Sequence, residues 1–203
     1  MQLAALILAA GRSTRFEGGG KLLALLDGRS VLSHVLAKAS DFPFSDRVLV
    51  VGHRADEIGQ IASDFPALRV IQNPNFATGL VSSLRVGIAS LASDTEAAII
   101  LLGDMPLVSP LTLKMLTMRA QSSPDSAAFI PSFRGEWGNP VLLRRQLFAE
   151  IEQLSGDQGA RALLKRRTDC ISVPVDDPGI LADIDTHEAL LAMTGGPNAG
   201  HPT

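Results

Sequence analysis

The chain lacks the features that mark several common classes of protein. Its 203 residues include a single cysteine, Cys170, so an internal disulfide bond and a zinc site built from several cysteines are both excluded. The formal net charge is −3 at pH 7, which leaves no broad basic surface for a nucleic acid. No apolar run approaches the roughly 20 residues that cross a bilayer, and no basic residue precedes the short apolar run at 1–10, as a secretory signal would require. We therefore expect a cytoplasmic protein with no nucleic-acid partner and no membrane partner.

The common motifs of nucleotide-binding and hydrolytic proteins are also missing. A P-loop needs Gly, four residues and then Gly-Lys-Ser/Thr, but Arg15 stands at the first glycine position and Leu22 at the hydroxyl position. The dinucleotide motif GxGxxG fails because Ser13 and Phe16 replace its second and third glycines. There is no GxSxG segment for a nucleophilic serine and no His-x-x-x-His pair for zinc. The absence of these motifs excludes a P-loop enzyme and a standard NAD-binding protein.

Short apolar runs alternate along the chain with helical patterns. Strands are predicted at residues 3–9, 47–51, 68–71, 97–102, 127–131, 140–143 and 171–175. Helices are predicted at 30–39, 55–62, 80–91, 146–154, 158–167 and 186–193, and another begins at Ser109-Pro110. Strands that are apolar throughout are buried on both faces, which indicates a parallel sheet covered by helices. We predict an α/β fold, a doubly wound and mostly parallel sheet flanked by helices, in one domain over 1–193 with a disordered tail at 194–203.

Glycine-rich or polar segments follow four of the predicted strands, at residues 10–21, 52–53, 73–83 and 103–107. Ligands of open parallel sheets bind beyond the carboxyl ends of the strands, so these segments are expected to form one site. In the first segment, a strand stops at the small turn Ala9-Ala10-Gly11, and basic residues and three glycines then lead to Lys21. Small side chains let backbone N–H groups approach a polyphosphate, which the cations neutralise. A merely flexible connection between strand and helix is the alternative.

Three carboxylates are candidates for a metal site. Asp104 follows the most apolar strand and would project into the crevice, where a carboxylate beside a phosphate loop suits Mg²⁺. Asp183 and Asp185 share one face of an extended segment because side chains alternate along it. Both positions have a structural alternative, since Asp104 could shape a turn and Asp185 could help to cap the helix after Thr186.

Polar turns elsewhere are candidates for ligand contacts. The segment GLVSS at 79–83 feeds a helix whose free N–H groups and serine hydroxyls would face a ligand, although the serines could simply cap the helix. The turns at 138–140 and 156–161 are polar as well, and each alone would be interpreted as a loop.

Taken together, these segments resemble the molybdopterin nucleotidyltransferase family, which belongs to the glycosyltransferase-A-like nucleotidyltransferases. The resemblance rests on LAAG at 8–11 with Ser13, Arg15 and Lys21, and on GDMP at 103–106. It is strongest to the branch that acts as molybdenum cofactor cytidylyltransferases, through the segments at 73–87, 138–140, 156–161 and 183–186. The chain departs from the usual pattern at Phe16-Glu17, where the family has Met-Gly, at Asn139, where it often has His, and at His187, where it often has Pro.

The resemblance implies transfer of CMP from CTP to the phosphate of molybdenum-molybdopterin, with release of pyrophosphate. Its catalytic residues would be Arg15, Lys21 and Asp104, and its Mg²⁺ ligands would be Asp104 and Asp185 with Asp183. The implied nucleotide-binding residues are Leu8, Ala9, Ala10, Gly11, Arg12, Ser13, Asn75, Gly79, Ser82 and Ser83. The implied acceptor-binding residues are Gly138, Asn139, Pro140 and Asp157. The implied partners are CTP or GTP, a molybdopterin-type acceptor, and a client molybdoenzyme or its chaperone.

The choice of base and the type of activity have alternatives. Guanylyl-transferring relatives tend to have Gly-Gly where this chain has Ala10-Gly11, and the added methyl group favours CTP over the larger purine by about 1–3 kcal/mol. A guanylyltransferase, or a nucleotidyltransferase with a sugar or alcohol phosphate acceptor, is the alternative within the class. A cofactor-delivery protein or an oxidoreductase on the same scaffold is the alternative outside it.

Overall fold

The computed structural model describes residues 1–14, 16, 20–154 and 160–194. Its strands are β1 (Leu3–Ala9), β2 (Leu25–Leu26), β3 (Arg29–Ser30), β4 (Asp46–Val51), β5 (Arg69–Gln72), β6 (Ala97–Leu102), β7 (Ala128–Phe133), β8 (Glu136–Trp137), β9 (Val141–Arg144) and β10 (Cys170–Pro174). Its α-helices are α1 (Val31–Asp41), α2 (Ala55–Ala62), α3 (Leu80–Ala89), α4 (Pro110–Ser122), α5 (Phe148–Glu152), α6 (Ala160–Lys165) and α7 (His187–Thr194). The α7 helix includes Thr194, which was predicted to begin the tail, and residues 195–203 lie outside the described part of the chain.

Eight strands form one mixed sheet in the order β10-β7-β9-β6-β1-β4-β5, with β8 pairing on β7. The pairs β1–β4, β1–β6, β4–β5 and β7–β10 are parallel. The strand β9 enters between β6 and β7 and is antiparallel to both. This arrangement confirms the predicted mostly parallel sheet, while the insertion of β9 was not foreseen because a local apolar pattern carries no strand direction.

The central strand β1 is buried on both faces and divides the core into two layers. Its alternate residues from Leu3 to Ala9 pack with α1, α2 and α4, and those from Ala4 to Leu8 pack with α3, α5 and α6. Helices therefore cover both faces of the sheet, as a doubly wound fold requires. The central strands of the sheet are apolar at successive positions because helices bury both of their faces.

Local signals placed several helix starts correctly. The Ser30 hydroxyl accepts a hydrogen bond from the Ser33 amide at 3.2 Å, and the Ser109 hydroxyl accepts one from the Leu111 amide at 3.2 Å. At α7, the Thr186 hydroxyl accepts from the Ala189 amide at 3.1 Å. These contacts satisfy N–H groups that have no partner within the helix.

The second half of the chain differs most from the predictions. The helix predicted at 146–154 is a short 3₁₀ turn followed by α5, and α6 is described only from Ala160. The small hairpin β2–β3 was not predicted, although its Asp27-Gly28 turn has positive φ at both residues and is typical of a tight hairpin. Among the described residues, no helix is long and apolar enough to cross a membrane.

Candidate active site

A cavity of about 460 Å³ lies at the carboxyl ends of β1 and β6. Three of the four segments that follow predicted strands contribute to its wall, together with the segment before α7. The fourth segment does not, since His53 faces a separate small cleft beside Gly11. The predicted site residues on the cavity wall are Leu8, Ala9, Ala10, Gly11, Arg12, Ser13, Lys21, Gly79, Ser83, Asp104, Asp183 and Asp185.

Two of the predicted nucleotide-binding residues, Asn75 and Ser82, lie in a neighbouring open groove and not on this wall. The buried Asn73 organises them: its side-chain amide donates to the hydroxyls of Ser82 at 2.9 Å and Ser83 at 3.0 Å, and its side-chain oxygen accepts from the Asn75 amide at 2.9 Å. The Ser82 hydroxyl also lies 2.9 Å from the Gly79 carbonyl oxygen. These contacts shape the turn that presents Gly79 and Ser83 to the cavity.

The remaining predicted residues are elsewhere. Arg15 and Asp157 lie outside the described residues. Gly138 and Asn139 line a second cavity, and Pro140 follows them through a cis peptide bond without lining it.

Three carboxylates converge at one end of the 460 Å³ cavity. Oxygen atoms of Asp104, Asp183 and Asp185 all lie within 4.8 Å of one another. The two segments that carry them are joined directly, since the Ile184 amide donates to the Asp104 carbonyl oxygen at 3.0 Å. Oxygen ligands on opposite sides of a Mg²⁺ ion stand about 4 Å apart, so these carboxylates fit a hard divalent cation after a small closure.

The ammonium of Lys21 stands among these carboxylates. Its Nζ donates to Asp104 and, at 2.8 Å, to Oδ1 of Asp185. The Lys21 side chain is only 13% exposed, and burial acts to lower its pKa. The attraction of Asp104 and the hydrogen bonds to both carboxylates outweigh burial and raise the pKa of Lys21 above its usual 10.5. Lys21 is therefore fully charged at neutral pH.

A small apolar cluster brings these distant segments together. Phe16 from the first loop, Leu26 from β2 and Val31 from α1 pack against Ile184 and Leu190. The cluster lies beside the ion pairs, because Ile184 separates Asp183 from Asp185. Sequence reasoning missed its role, although the isolated apolar Phe16 in a polar and glycine-rich loop was an available signal.

Phe76 is another residue that sequence reasoning did not single out. It lies in the 3₁₀ helix Phe76–Thr78 and lines the cavity. The Arg12 guanidinium carbon is 5.9 Å from the centre of its ring, a cation–π distance. An aromatic face beside a nucleotide-sized cavity is suited to contact with a base.

The loop that carries Asp104 is braced from outside the site by Lys38. The Lys38 ammonium, which is half-buried, donates to the carbonyl oxygen of Pro106. Burial lowers the pKa of Lys38, an effect that the charge of Asp177 partly opposes. Asp177 in turn accepts from the Ser109 amide at 2.8 Å and from the Thr112 hydroxyl at 2.6 Å. The turn between β6 and α4 is thus held at several points.

A second cavity of about 200 Å³ adjoins the first and shares Leu8, Leu80 and Leu102 with it. Its wall is mostly aliphatic, and the Gly138-Asn139 turn and Trp137 lie at one side. The Arg161 guanidinium donates to the Trp137 carbonyl oxygen at 2.6 Å. A group bound here would reach the first cavity directly.

Replacing Gly138 with alanine should lower the free energy of unfolding by about 1–3 kcal/mol. A Cβ atom at this position would lie 2.4 Å from the Ile180 carbonyl oxygen. That oxygen already accepts a hydrogen bond from the Asn139 amide at 2.9 Å. Urea denaturation measures the change. The matched control is Gly59→Ala in α2, where an added Cβ would meet nothing within 4 Å. This control substitution should stabilise the helix by about 0.5–1 kcal/mol. Equal stability of both variants would contradict the close packing of Gly138.

The fold and this site define a class. An eight-stranded, mostly parallel sheet covered by helices, with the site at its carboxyl edge, is the nucleotide-diphospho-sugar transferase fold of the nucleotidyltransferases. Residues 5–171 match the MobA-like NTP transferase domain. The chain therefore belongs to the MobA-like NTP transferase domain family, as the sequence motifs indicated.

The chain is similar to proteins of more than one kind. The molybdenum cofactor cytidylyltransferase of Escherichia coli is 28% identical over 188 residues, which cover 92% of each chain. The bifunctional protein GlmU of Sphingopyxis alaskensis is 32% identical over 166 residues, 79% of this chain. The chain spans only 24–39% of the length of GlmU proteins that it matches. A crystal structure of Rv0371C from Mycobacterium tuberculosis, in complex with manganese, is 25% identical with a TM-score of 0.76, covering 97% of this chain and all of the other.

Proposed function

We propose that the chain transfers CMP from CTP to the phosphate of a molybdopterin-type acceptor and releases pyrophosphate. The observation that carries this proposal is the convergence of three carboxylates and Lys21 on a cavity bounded by the turn at Ala9-Ala10-Gly11. The similarity to the cytidylyltransferase of Escherichia coli over almost the whole of both chains supports the choice of nucleotide and acceptor. A client molybdoenzyme or its chaperone would receive the product.

The nucleotide would lie along the first cavity. The backbone at Ala9-Ala10-Gly11 would contact the base and ribose, with the Phe76 ring close by, and Gly79 and Ser83 would close the other side. Arg15 and Lys21 would neutralise the triphosphate. Transfer between phosphates needs alignment and charge neutralisation more than covalent catalysis, and a cavity walled by backbone and fixed charges is suited to both.

The divalent cation would be held by the three converging carboxylates. Asp104 and Asp185 are the half-buried members and Asp183 the exposed one, so the first two would be the constant ligands. When bound, Mg²⁺ neutralises charge on the phosphate oxygens and stabilises the charge that develops during transfer. The protein's part is to hold the carboxylates in place, which the Ile184 amide and the apolar cluster accomplish.

The acceptor would enter through the second cavity. Gly138 and Asn139 on its wall would bind it, with the adjoining Pro140 and with Asp157 from the segment at 156–161. The shared residues Leu8, Leu80 and Leu102 place this cavity next to the nucleotide. An acceptor phosphate at their junction would therefore stand next to the nucleotide.

A panel of nucleotides tests the proposal. Purified protein with Mg²⁺, molybdopterin and either CTP, GTP or ATP should release pyrophosphate fastest with CTP. The preference over GTP should be on the order of 10–100-fold, because a single methyl group at Ala10 crowds the larger base by only about 1–3 kcal/mol. The measurement is the initial rate of pyrophosphate release.

Two controls separate the alternatives. Omission of the acceptor should stop pyrophosphate release, and Ala10→Gly should narrow the gap between CTP and GTP. Faster reaction with GTP in the unaltered protein would favour a guanylyltransferase. Tight binding of molybdopterin without turnover of any nucleotide would favour a cofactor-delivery protein.

A further inference from the structure

The position of Lys21 has a consequence for the order in which ligands bind. Its ammonium donates to Asp104 and Asp185, the two half-buried carboxylates of the acidic cluster. A divalent cation held by these carboxylates would stand a few ångströms from the ammonium. Like charges at such a distance repel strongly where water is partly excluded, and the Lys21 side chain is only 13% exposed. It is therefore unfavourable for a divalent cation and the Lys21 ammonium to occupy the carboxylates at the same time.

The same lysine lines the cavity proposed for the triphosphate. Its four-carbon stem is flexible, and its ammonium is a compact charge that can exchange one anionic partner for another. The neighbouring Leu22 is buried, and its carbonyl oxygen accepts the Leu32 amide at 3.1 Å. The backbone next to Lys21 is thus anchored, so that the Lys21 side chain can move while its own backbone stays in place.

We propose that Lys21 is a resident counter-ion of the metal site, which keeps divalent cations weakly bound until a triphosphate draws its ammonium away. This inference rests on the proposed function and extends it to the order of binding. Asp183, the exposed third carboxylate of the cluster, adds to the attraction for a divalent cation. Metal and nucleotide then bind cooperatively, because each favours the state in which Lys21 has left the carboxylates, and the coupling is reciprocal.

A purely structural ion pair makes the opposite prediction. If Lys21 served only to hold Asp104 and Asp185 together, its removal would let the carboxylates separate by mutual repulsion. The affinity for a divalent cation would then fall. The sign of the change in metal affinity therefore distinguishes the two roles.

The test uses Mn²⁺ and the whole 203-residue chain without nucleotide. Lys21→Met removes the charge and keeps the length of the side chain, and it should bind Mn²⁺ about 10-fold more tightly than the unaltered protein, within the usual range of coupling between sites. Free Mn²⁺ is measured by electron paramagnetic resonance during titration, with circular dichroism as the check on folding. Lys114→Met, on the exposed face of α4, makes the same charge change and should leave the affinity unaltered.

The outcomes separate this inference from the proposed function. Equal or weaker Mn²⁺ binding by Lys21→Met, with binding still abolished by Asp104→Asn, would overturn the counter-ion role and leave the metal site standing. Absence of Mn²⁺ binding in the unaltered protein and in Lys21→Met would overturn the metal site and the inference with it.

A second measurement needs no variant. In protein labelled with ¹⁵N-lysine, saturating Mg²⁺ should move the Nζ resonance of Lys21 to the region of exposed lysines. An unmoved resonance would also overturn the inference.

Discussion

Replacing Asp104 with asparagine should lower kcat for nucleotidyl transfer by about 10³-fold while the protein remains folded. Groups that neutralise charge in a transition state are commonly worth 10²–10³-fold each, and Asp104 would also be a ligand of the metal. Asparagine keeps the shape of the side chain and removes its charge. The measurement is the single-turnover rate at saturating CTP and Mg²⁺.

The matched control for this variant is Asp46→Asn. Asp46 begins β4 and pairs with Arg69 across the sheet, at the end of the strands that is remote from the cavity. It loses the same charge from a more exposed ion pair, which contributes little to stability. Because Asp46 is remote from the cavity, its kcat should stay within about twofold of the unaltered protein. A folded Asp104→Asn protein with normal turnover would refute the assignment of this carboxylate to the reaction.

Replacing Ile184 with alanine should lower the apparent affinity of the protein for a divalent cation by about 10–100-fold. Residues that orient metal ligands commonly have effects of this size, and Ile184 is fully buried between the two carboxylates that flank it. Its loss removes apolar contacts that hold this segment against Phe16, Leu26 and Val31. Mn²⁺ titration and the Mg²⁺ dependence of the rate both measure the effect.

The control for this second variant is Ile151→Ala in α5. Ile151 is fully buried in the layer on the other face of the sheet, so its loss should lower the free energy of unfolding by about 2–5 kcal/mol without altering metal affinity. If Ile184→Ala lost stability in the same way and bound Mn²⁺ normally, the apolar cluster would not be what positions the carboxylates.

Two departures from the family pattern turn out to be neighbours in space. Phe16 and His187 each stand where the family commonly has a different residue, and nothing in the sequence connects them. In the structure their rings pack edge to face, with centroids 4.3 Å apart and planes at 88°, a favourable aromatic geometry. The pair joins the first loop to the start of α7 beside the acidic cluster. Local patterns cannot reveal such a pairing, because it depends on contacts between the two ends of the chain.

The predictable part of the fold is the part that short-range rules control. Apolar runs such as Ala97–Leu102 are buried strands, and Ser30 and Ser109 begin helices, because burial pattern and capping depend on a few neighbouring residues. The direction of β9 was missed, since its pairing with β6 and β7 is decided by the rest of the sheet. The contributions of Phe76 and Lys38 were missed for a similar reason, because each depends on a contact with a residue far away along the chain, Arg12 for Phe76 and Pro106 for Lys38.

The sequence by itself determined the alternation of strands and helices, the doubly wound class and the family, because these depend on periodicity and on short motifs. Only the tertiary structure decided that Lys21 contacts Asp104 and Asp185, partners that are 83 and 164 residues away along the chain. The physical reason is that the parallel strands β1 and β6 end at the same edge of the sheet, and the burial of Ile184 against the first loop brings the last segment to that edge. Attraction between opposite charges then selects the partners within reach.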